Sequence, residues 1–402
     1  MRTLPCSLAL VALVAPVALA QGPTAAEVTA GIQAGVDLLV PDQEIYLPDP
    51  PVGTLTPTAL AAYQAAEKLR LERIRAWCAG SGEEWPYEGV YRVGGRIPSG
   101  YRVGGTAIVC SALLGAPGWT SDTERQASVH RSVNFLLDRL ASDPAMGAGP
   151  KVGYDVRGWG HTYALTFFLQ LLDANAAADP AQEQAVRARV QLLVDALELN
   201  ETSQGGWSYS SDVRVSPFMT GPTLMALYHA ADLGFTVDPA VVTRGLDALE
   251  LARTPQGTYS YSGAATGSVP FQASSARASA AELALHLGGR STEAELRTAV
   301  LYFLRSWDDL LVRKSQQGTH QGPFGIAPYY FFFGHTYAAL AIERLPAAER
   351  PRWRAEIARL LWLTRESDGG WNDRVFPRTK GYSTAMALLA LNAKSAPPQS
   401  TW

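Results

Sequence analysis

Three short stretches of the chain gather residues that can do chemistry. The first is Tyr154-Asp155-Val156-Arg157-Gly158-Trp159-Gly160-His161-Thr162-Tyr163, which sets a carboxylate, a guanidinium, an imidazole and three aromatic rings within ten residues. An imidazole at a helix start is kept neutral by the positive end of the helix dipole, and a neutral imidazole near pH 7 is a general base. A plainer account pairs Asp155 with Arg157 and packs His161 between elements. The second stretch is 324–337, FGIAPYYFFFGHTY, whose aromatic density suits a wall for flat apolar ligands, sugar faces or carbocations, or else a packed core. The third is Glu83-Glu84-Trp85-Pro86-Tyr87-Glu88 with Arg92, Arg96 and Arg102, a polar lid or an ion-pair network holding a long loop.

These stretches nominate Asp155, His161, His335 and Glu84 as acid–base candidates. They nominate Tyr154, Arg157, Tyr163, Phe324, Tyr329, Tyr330, Tyr337 and Arg102 as ligand contacts. Nothing has the spacing of a metal site, and no cofactor motif is present, so neither a metal nor a cofactor is expected. No Gly-x-Ser-x-Gly elbow is found either.

The elements that must position these residues repeat. The segments 196–210 (ALELNETSQGGWSYS) and 248–262 (ALELARTPQGTYSYS) agree at ten of fifteen positions, and a third copy, LWLTRESDGGW, ends at Trp371. Each copy runs from an apolar helical segment through a polar turn to an aromatic anchor: Trp207, Tyr259 or Trp371. QGPF at 321–324, Gly153-Tyr154 and Glu84–Tyr87 read as looser copies. A small-residue start followed by an apolar helix recurs six times, at Gly104, Gly160, Gly221, Ala278, Gly334 and Gly381. The pentapeptide Gly-His-Thr-Tyr-Ala occurs at both 160 and 334. Each unit is predicted to be two helices, an amphipathic outer one and an inner one apolar all round. The outer helices are read at 186–199, 241–251, 296–311 and 353–364. Six such pairs stacked on each other suggest a closed ring, in which His161 and His335 would face each other across the barrel. A further helix is expected over 58–78 with Thr58 as its N-cap.

The composition agrees with one large core. Of 402 residues, 47% are hydrophobic and 18% charged, and 34 Lys+Arg against 37 Asp+Glu give a net charge of −3. That excludes a disordered chain and leaves no basic excess for nucleic acid. Residues 1–20 read as a secretory signal peptide ending in Ala18-Leu19-Ala20, with an apolar run too short to span a bilayer. The expectation is a secreted or periplasmic chain with no transmembrane segment. One domain is expected over 21–395, with a Pro-rich loop inserted at 40–57 and a disordered tail at 396–402. Cys78 and Cys110 either pair in a disulfide or stay as two buried thiols.

The runs Leu197-x3-Glu201-x3-Gly205-Gly206-Trp207 and Leu361-x3-Arg365-x3-Gly369-Gly370-Trp371 resemble the QW repeats of squalene and hopene cyclases. The related Gly-Gly-aromatic repeat of protein prenyltransferase β subunits is similar. The chain also looks like exported bacterial proteins described by a prenyltransferase or squalene oxidase repeat. This resemblance implies an all-α fold, the (α/α)6 toroid of terpenoid-cyclase type. It does not bring the cyclases' Asp-x-Asp-Asp acid motif, which is absent here, nor a zinc set around Cys110. Asp308-Asp309 falls in an outer helix. The expected function is therefore an exported toroid that binds a small molecule, a glycan or a protein in an aromatic-lined central cavity. An exported carbohydrate-active lyase or glycosidase is the alternative, and an isoprenoid transferase or cyclase the second. Whether the chain is an enzyme is left open by the sequence.

Overall fold

The computed structural model describes residues 22–48, 56–89, 91–149, 156–209, 214–316, 318–374 and 376–402. Fourteen α-helices occur among the described residues, in the chain order α1 (Ala25–Leu39), α2 (Pro57–Trp77), α3 (Ser99–Gly115), α4 (Thr123–Ser142), α5 (Arg157–Asp173), α6 (Pro180–Leu199), α7 (Pro217–Asp232), α8 (Pro239–Ala252), α9 (Phe271–Leu287), α10 (Glu293–Arg305), α11 (Trp307–Arg313), α12 (Tyr330–Ile342), α13 (Arg350–Trp362) and α14 (Thr379–Asn392).

Burial sorts these helices into two layers. In α12, twelve of thirteen residues are buried. In α10 only Leu296, Ala299, Val300 and Phe303 are, the stripe of an amphipathic helix with one face in water. The inner helices are α3, α5, α7, α9, α12 and α14. Each packs on the next, and α14 packs back on α3, so the ring is closed. Outside it, α1, α4, α6, α8, α10 and α13 form the second layer of an all-α (α/α)6 toroid. All six small-residue starts seen in the sequence fall within inner helices. Small residues are needed because the inner helices touch backbone to backbone. A methyl group on Gly100 would lie 2.3 Å from the Val156 carbonyl oxygen, and one on Gly104 would lie 2.3 Å from the Trp159 ring.

The aromatic anchors stitch the layers together. The indole N–H of Trp85, Trp207 and Trp371 donates to the carbonyls of Leu39, Leu197 and Leu361, at 2.8, 2.8 and 2.9 Å. These carbonyls lie in the last turns of outer helices, where helical partners run out. The backbone N–H of each anchor donates to a threonine of the following inner helix, Thr106, Thr220 or Thr384, at 2.9, 2.9 and 3.1 Å. Tyr259 varies the theme, its N–H bonding Ser274 Oγ at 2.7 Å and its hydroxyl donating to Glu282 at 2.6 Å.

Several details differ from the sequence reading. The outer segment 296–311 breaks at Ser306 into α10 and α11. The cap of α2 is Thr56, whose hydroxyl accepts from the Ala59 N–H, rather than Thr58, because Pro57 takes the first helical turn, where its missing N–H costs nothing. The tail is not loose: the Trp402 ring lies 5.8 Å from that of Tyr228, and its N–H donates to the Leu287 carbonyl at 3.1 Å. Of the 40–57 loop, residues 40–48 and 56–57 are described, and the first part is tied down by Glu44, which accepts from Arg378 Nε at 2.8 Å. The signal-peptide segment lies outside the described residues. No helix among the described residues is long and apolar enough to cross a membrane.

The disulfide alternative fails. Cys78 sits in a small cluster with Leu71 and Ile74, whereas Cys110 is in the main core on α3, and both are free and buried. Denatured without reductant, the chain from residue 21 onward is therefore expected to release two titratable thiols to a thiol reagent. A chain that releases none contradicts this.

Candidate functional site

The C-terminal ends of the outer helices and the first turns of the inner ones share one end of the ring. There the connecting loops enclose a cleft of about 340 Å³, within the range of small-molecule sites. The first unit contributes Tyr87, Tyr91 and Tyr101; the second contributes Val156, just before α5, and Trp159. The third and fourth contribute Tyr209, Phe218 and Tyr261. The last two contribute Thr319, His320 and Tyr329, then Arg374 and Tyr382.

The rings form two walls. In one, Tyr87 meets Tyr101 edge-on at 5.3 Å, Trp159 at 5.6 Å and Tyr382 at 4.7 Å between centroids. In the other, Phe218 lies 6.0 Å from Tyr209 and 5.3 Å from Tyr329. A chain of hydroxyls runs along this second wall. Tyr209 bonds Tyr261 closely and meets the Tyr329 hydroxyl at 3.4 Å, and Tyr329 donates to His320 Nε2 at 3.3 Å. The direction follows from His320 Nδ1, which lies 2.9 Å from the Gly325 carbonyl and so carries the proton. Burial, with the cations Arg277 and Arg374 nearby, holds His320 below its ordinary value, so the imidazole is a neutral acceptor. Burial also pushes the Tyr329 phenol well up, which keeps it a donor.

A regular position supplies part of both walls. Tyr87, Tyr209 and Tyr261 each stand two residues after an anchor, Trp85, Trp207 and Tyr259. After the sixth-unit anchor Trp371 the same place holds Asp373. Its carboxylate is fully buried, and neither oxygen has a hydrogen-bond partner among the described residues. Burial pushes this carboxyl up to about 6, against the pull of Arg374. The native state then binds this proton more tightly than the unfolded chain, so native stability falls as pH rises from about 4 to about 6 and is flat above. The gross cost at pH 7 is on the order of 3 kcal/mol. Asp373→Asn removes the charge but brings an amide that needs partners of its own. A net gain on the order of 1 kcal/mol is expected at pH 7, with none at pH 4, by chemical denaturation. A loss at pH 7 contradicts this.

The residues nominated from sequence fall in different places. Tyr329 lines the cleft. Tyr330, directly after it, is buried beneath, with its ring 5.4 Å from Phe218. Tyr163 and Tyr337 lie on α5 and α12, and their hydroxyls meet at 3.3 Å. The shared pentapeptide thus brings its tyrosines together across the ring, not its histidines. Two residues along a helix is about 200° of rotation, which turns the imidazoles away from the axis. His161 Nε2 bonds the Met146 carbonyl at 3.0 Å. His335 is wholly buried, with Nδ1 2.8 Å from the Phe331 carbonyl and Nε2 accepting from Trp307 Nε1 at 3.0 Å. Both are outside the cleft.

Glu84 and Arg102 form a buried ion pair, Nε to carboxylate 2.7 Å, that holds the first loop. Arg157 donates to the Gly147 and Gly149 carbonyls, both at 3.2 Å, and Phe324 is half-buried against the core edge. Tyr154 and Asp155 lie outside the described residues. Sequence reasoning passed over Tyr101, Tyr209, Tyr261, His320, Arg374 and Tyr382, and kept Tyr87 and Trp159 only as members of their stretches. The signal for three of the tyrosines was present in the anchor-plus-two spacing. Among the described residues, no group of three or more His, Cys, Asp or Glu could hold a metal ion.

Fold and site together define an (α/α)6 toroid with a tyrosine-walled cleft at one mouth of its inner ring. No family model matches the chain, and no curated protein matches it. Among solved structures it is similar to an inactive variant of the alpha-1,6-mannanase GH76A of Salegentibacter sp. HEL1_6 in complex with alpha-1,6-mannotetrose. The TM-score is 0.51 at 12% identity, covering 92% of this chain and 99% of that one. It is also similar to the type II terpene cyclase MstE from Scytonema, with TM-score 0.47 and 16% identity over 93% of this chain and 100% of that one. At 12% identity the likeness to the mannanase concerns the fold alone.

Proposed function

We propose that the protein is an exported toroid that binds an organic ligand with flat or apolar faces in the tyrosine-walled cleft. One observation carries this reading: nine of the thirteen lining residues are Tyr, Trp or Phe, drawn from separate loops into one concavity. Seven of them are tyrosines. Their faces suit sugar rings or other flat apolar groups, and their hydroxyls suit polar substituents, so the ligand is amphipathic rather than a bare hydrocarbon. Export rests on the leader-like segment 1–20.

A thermal-shift screen of the protein against oligosaccharide and isoprenoid panels tests the reading. A ligand at 100 times its dissociation constant adds about 2.7 kcal/mol of stability. Trp159→Ala removes the largest ring of the first wall, and at least a tenfold loss of affinity is expected. A ligand that binds this variant as tightly as the parent is bound elsewhere, and the reading fails for it.

A further inference from the structure

Among the described residues lining the cleft, Arg374 is the single formally charged side chain, and no carboxylate lines it. Among the other buried arginines of the described residues, Arg378 meets Glu44 and Arg125 meets Asp122, while Arg277 donates to the carbonyls of Tyr259, Ser260 and Ala273. Arg374 is 3% exposed, and its Nε donates to the Tyr87 hydroxyl at 3.2 Å. Its guanidinium lies 5.6 Å from the Tyr329 ring centre, and its Nη1 is buried with no hydrogen-bond partner among the described residues. Asp373 is next in the chain and attracts it through space, but no hydrogen bond joins them. A buried guanidinium left short of an acceptor is costly, and the cleft is where an acceptor can enter.

We propose that the cleft takes an anionic ligand, a carboxylate carried on a ring with a flat apolar face, and that Arg374 holds the carboxylate between the two aromatic walls. This rests on the ligand-cleft reading above. One planar guanidinium matches one carboxylate in a forked pair, whereas a diphosphate calls for several cations. The rings of Tyr382 and Trp159 take the flat face, and the Tyr329 and Tyr209 hydroxyls take substituents. Two sources share this chemistry, an acidic sugar and an aromatic acid, and they are told apart by experiment.

The test is calorimetric titration of the protein at pH 7 with two pairs of probes. One pair is methyl glucuronide and methyl glucoside, the other 4-hydroxybenzoate and 4-hydroxybenzyl alcohol. Within each pair the members differ at the carboxylate. At least one acid is expected to bind tenfold or more tighter than its alcohol, with the preference weakened by salt. The pair that shows it names the source. In Arg374→Gln the preference disappears, and in Arg374→Lys part of it returns. Should Arg374→Gln not fold, the ratio within each pair and its salt dependence in the parent protein still decide. An alcohol bound as tightly as its acid in both pairs overturns the proposal and leaves the ligand cleft standing. A preference that survives Arg374→Gln also overturns it. No binding by any of the four at millimolar concentration overturns it as well.

Discussion

Trp371→Ala is expected to cost about 3–5 kcal/mol of unfolding free energy, the largest effect of any single change considered. The side chain is fully buried, so its loss opens a cavity the size of an indole between α13 and α14. The same change takes the indole donor from the Leu361 carbonyl, which keeps only the Thr364 backbone N–H and hydroxyl, both at 3.1 Å. The ring is also flanked by Trp362 at 6.3 Å and by the Arg365 guanidinium at 5.5 Å, and both lose their contact. Trp207→Ala should behave alike, since Trp207 makes the same pair of bonds to Leu197 and Thr220. Tyr259→Phe removes only a hydroxyl and leaves Glu282 one donor short, for about 1–3 kcal/mol. Urea unfolding of the variants checks the order. Equal costs for Trp371→Ala and Tyr259→Phe would contradict the anchoring role.

His335 gives the second large effect, through pH. Burial holds its pKa down to about 4, and the one bond that favours the cation, to the Phe331 carbonyl, does not offset it. The unfolded chain titrates near 6.5. The folded value is depressed, so the group's contribution is complete above pH 6.5 and is lost as pH falls toward 4. The total is on the order of 3 kcal/mol. Protonating Nε2 also sets two donors, the imidazolium and the Trp307 indole, against each other. On going from pH 7 to pH 4.5 the unfolding free energy of the parent should therefore fall relative to that of His335→Phe, by an amount on the order of 2–3 kcal/mol. An identical pH slope in both proteins contradicts the assignment. Asp373 works in the opposite sense over much the same range, so the parent alone shows only the sum.

Much of the architecture was legible because it repeats. Gly104 and Gly160 mark places where inner helices must touch, and touching requires small residues wherever it occurs. Trp207 and Trp371 could be matched because the same two bonds are made in each unit. The site was less legible because a cleft at the mouth of a ring takes one or two residues from each loop, and no local stretch shows it. Tyr209 and Tyr261 sat inside the matched repeat and were read with the anchors, although the residue two beyond the anchor turns back toward the mouth. Asp373 stayed hidden because the sixth unit changes the residue type at that place. His161 and His335 drew attention through the rarity of imidazole, but helical rotation turns them outward and gives the axis to Tyr163 and Tyr337. Glu84, Arg102 and Arg157 spend their charge on holding loops.

The central claim is that the cleft is where a ligand sits. It is tested most directly by fluorotyrosine NMR, with resonances assigned through single Tyr→Phe changes and a ligand drawn from the thermal-shift screen. The resonances of Tyr87, Tyr101, Tyr209, Tyr261, Tyr329 and Tyr382 should move on binding. Those of Tyr228, packed under Trp402, and Tyr302, stacked on Phe271 in the outer layer, should not. A ligand that stabilises the protein yet shifts Tyr228 or Tyr302 while leaving the six unmoved contradicts the account.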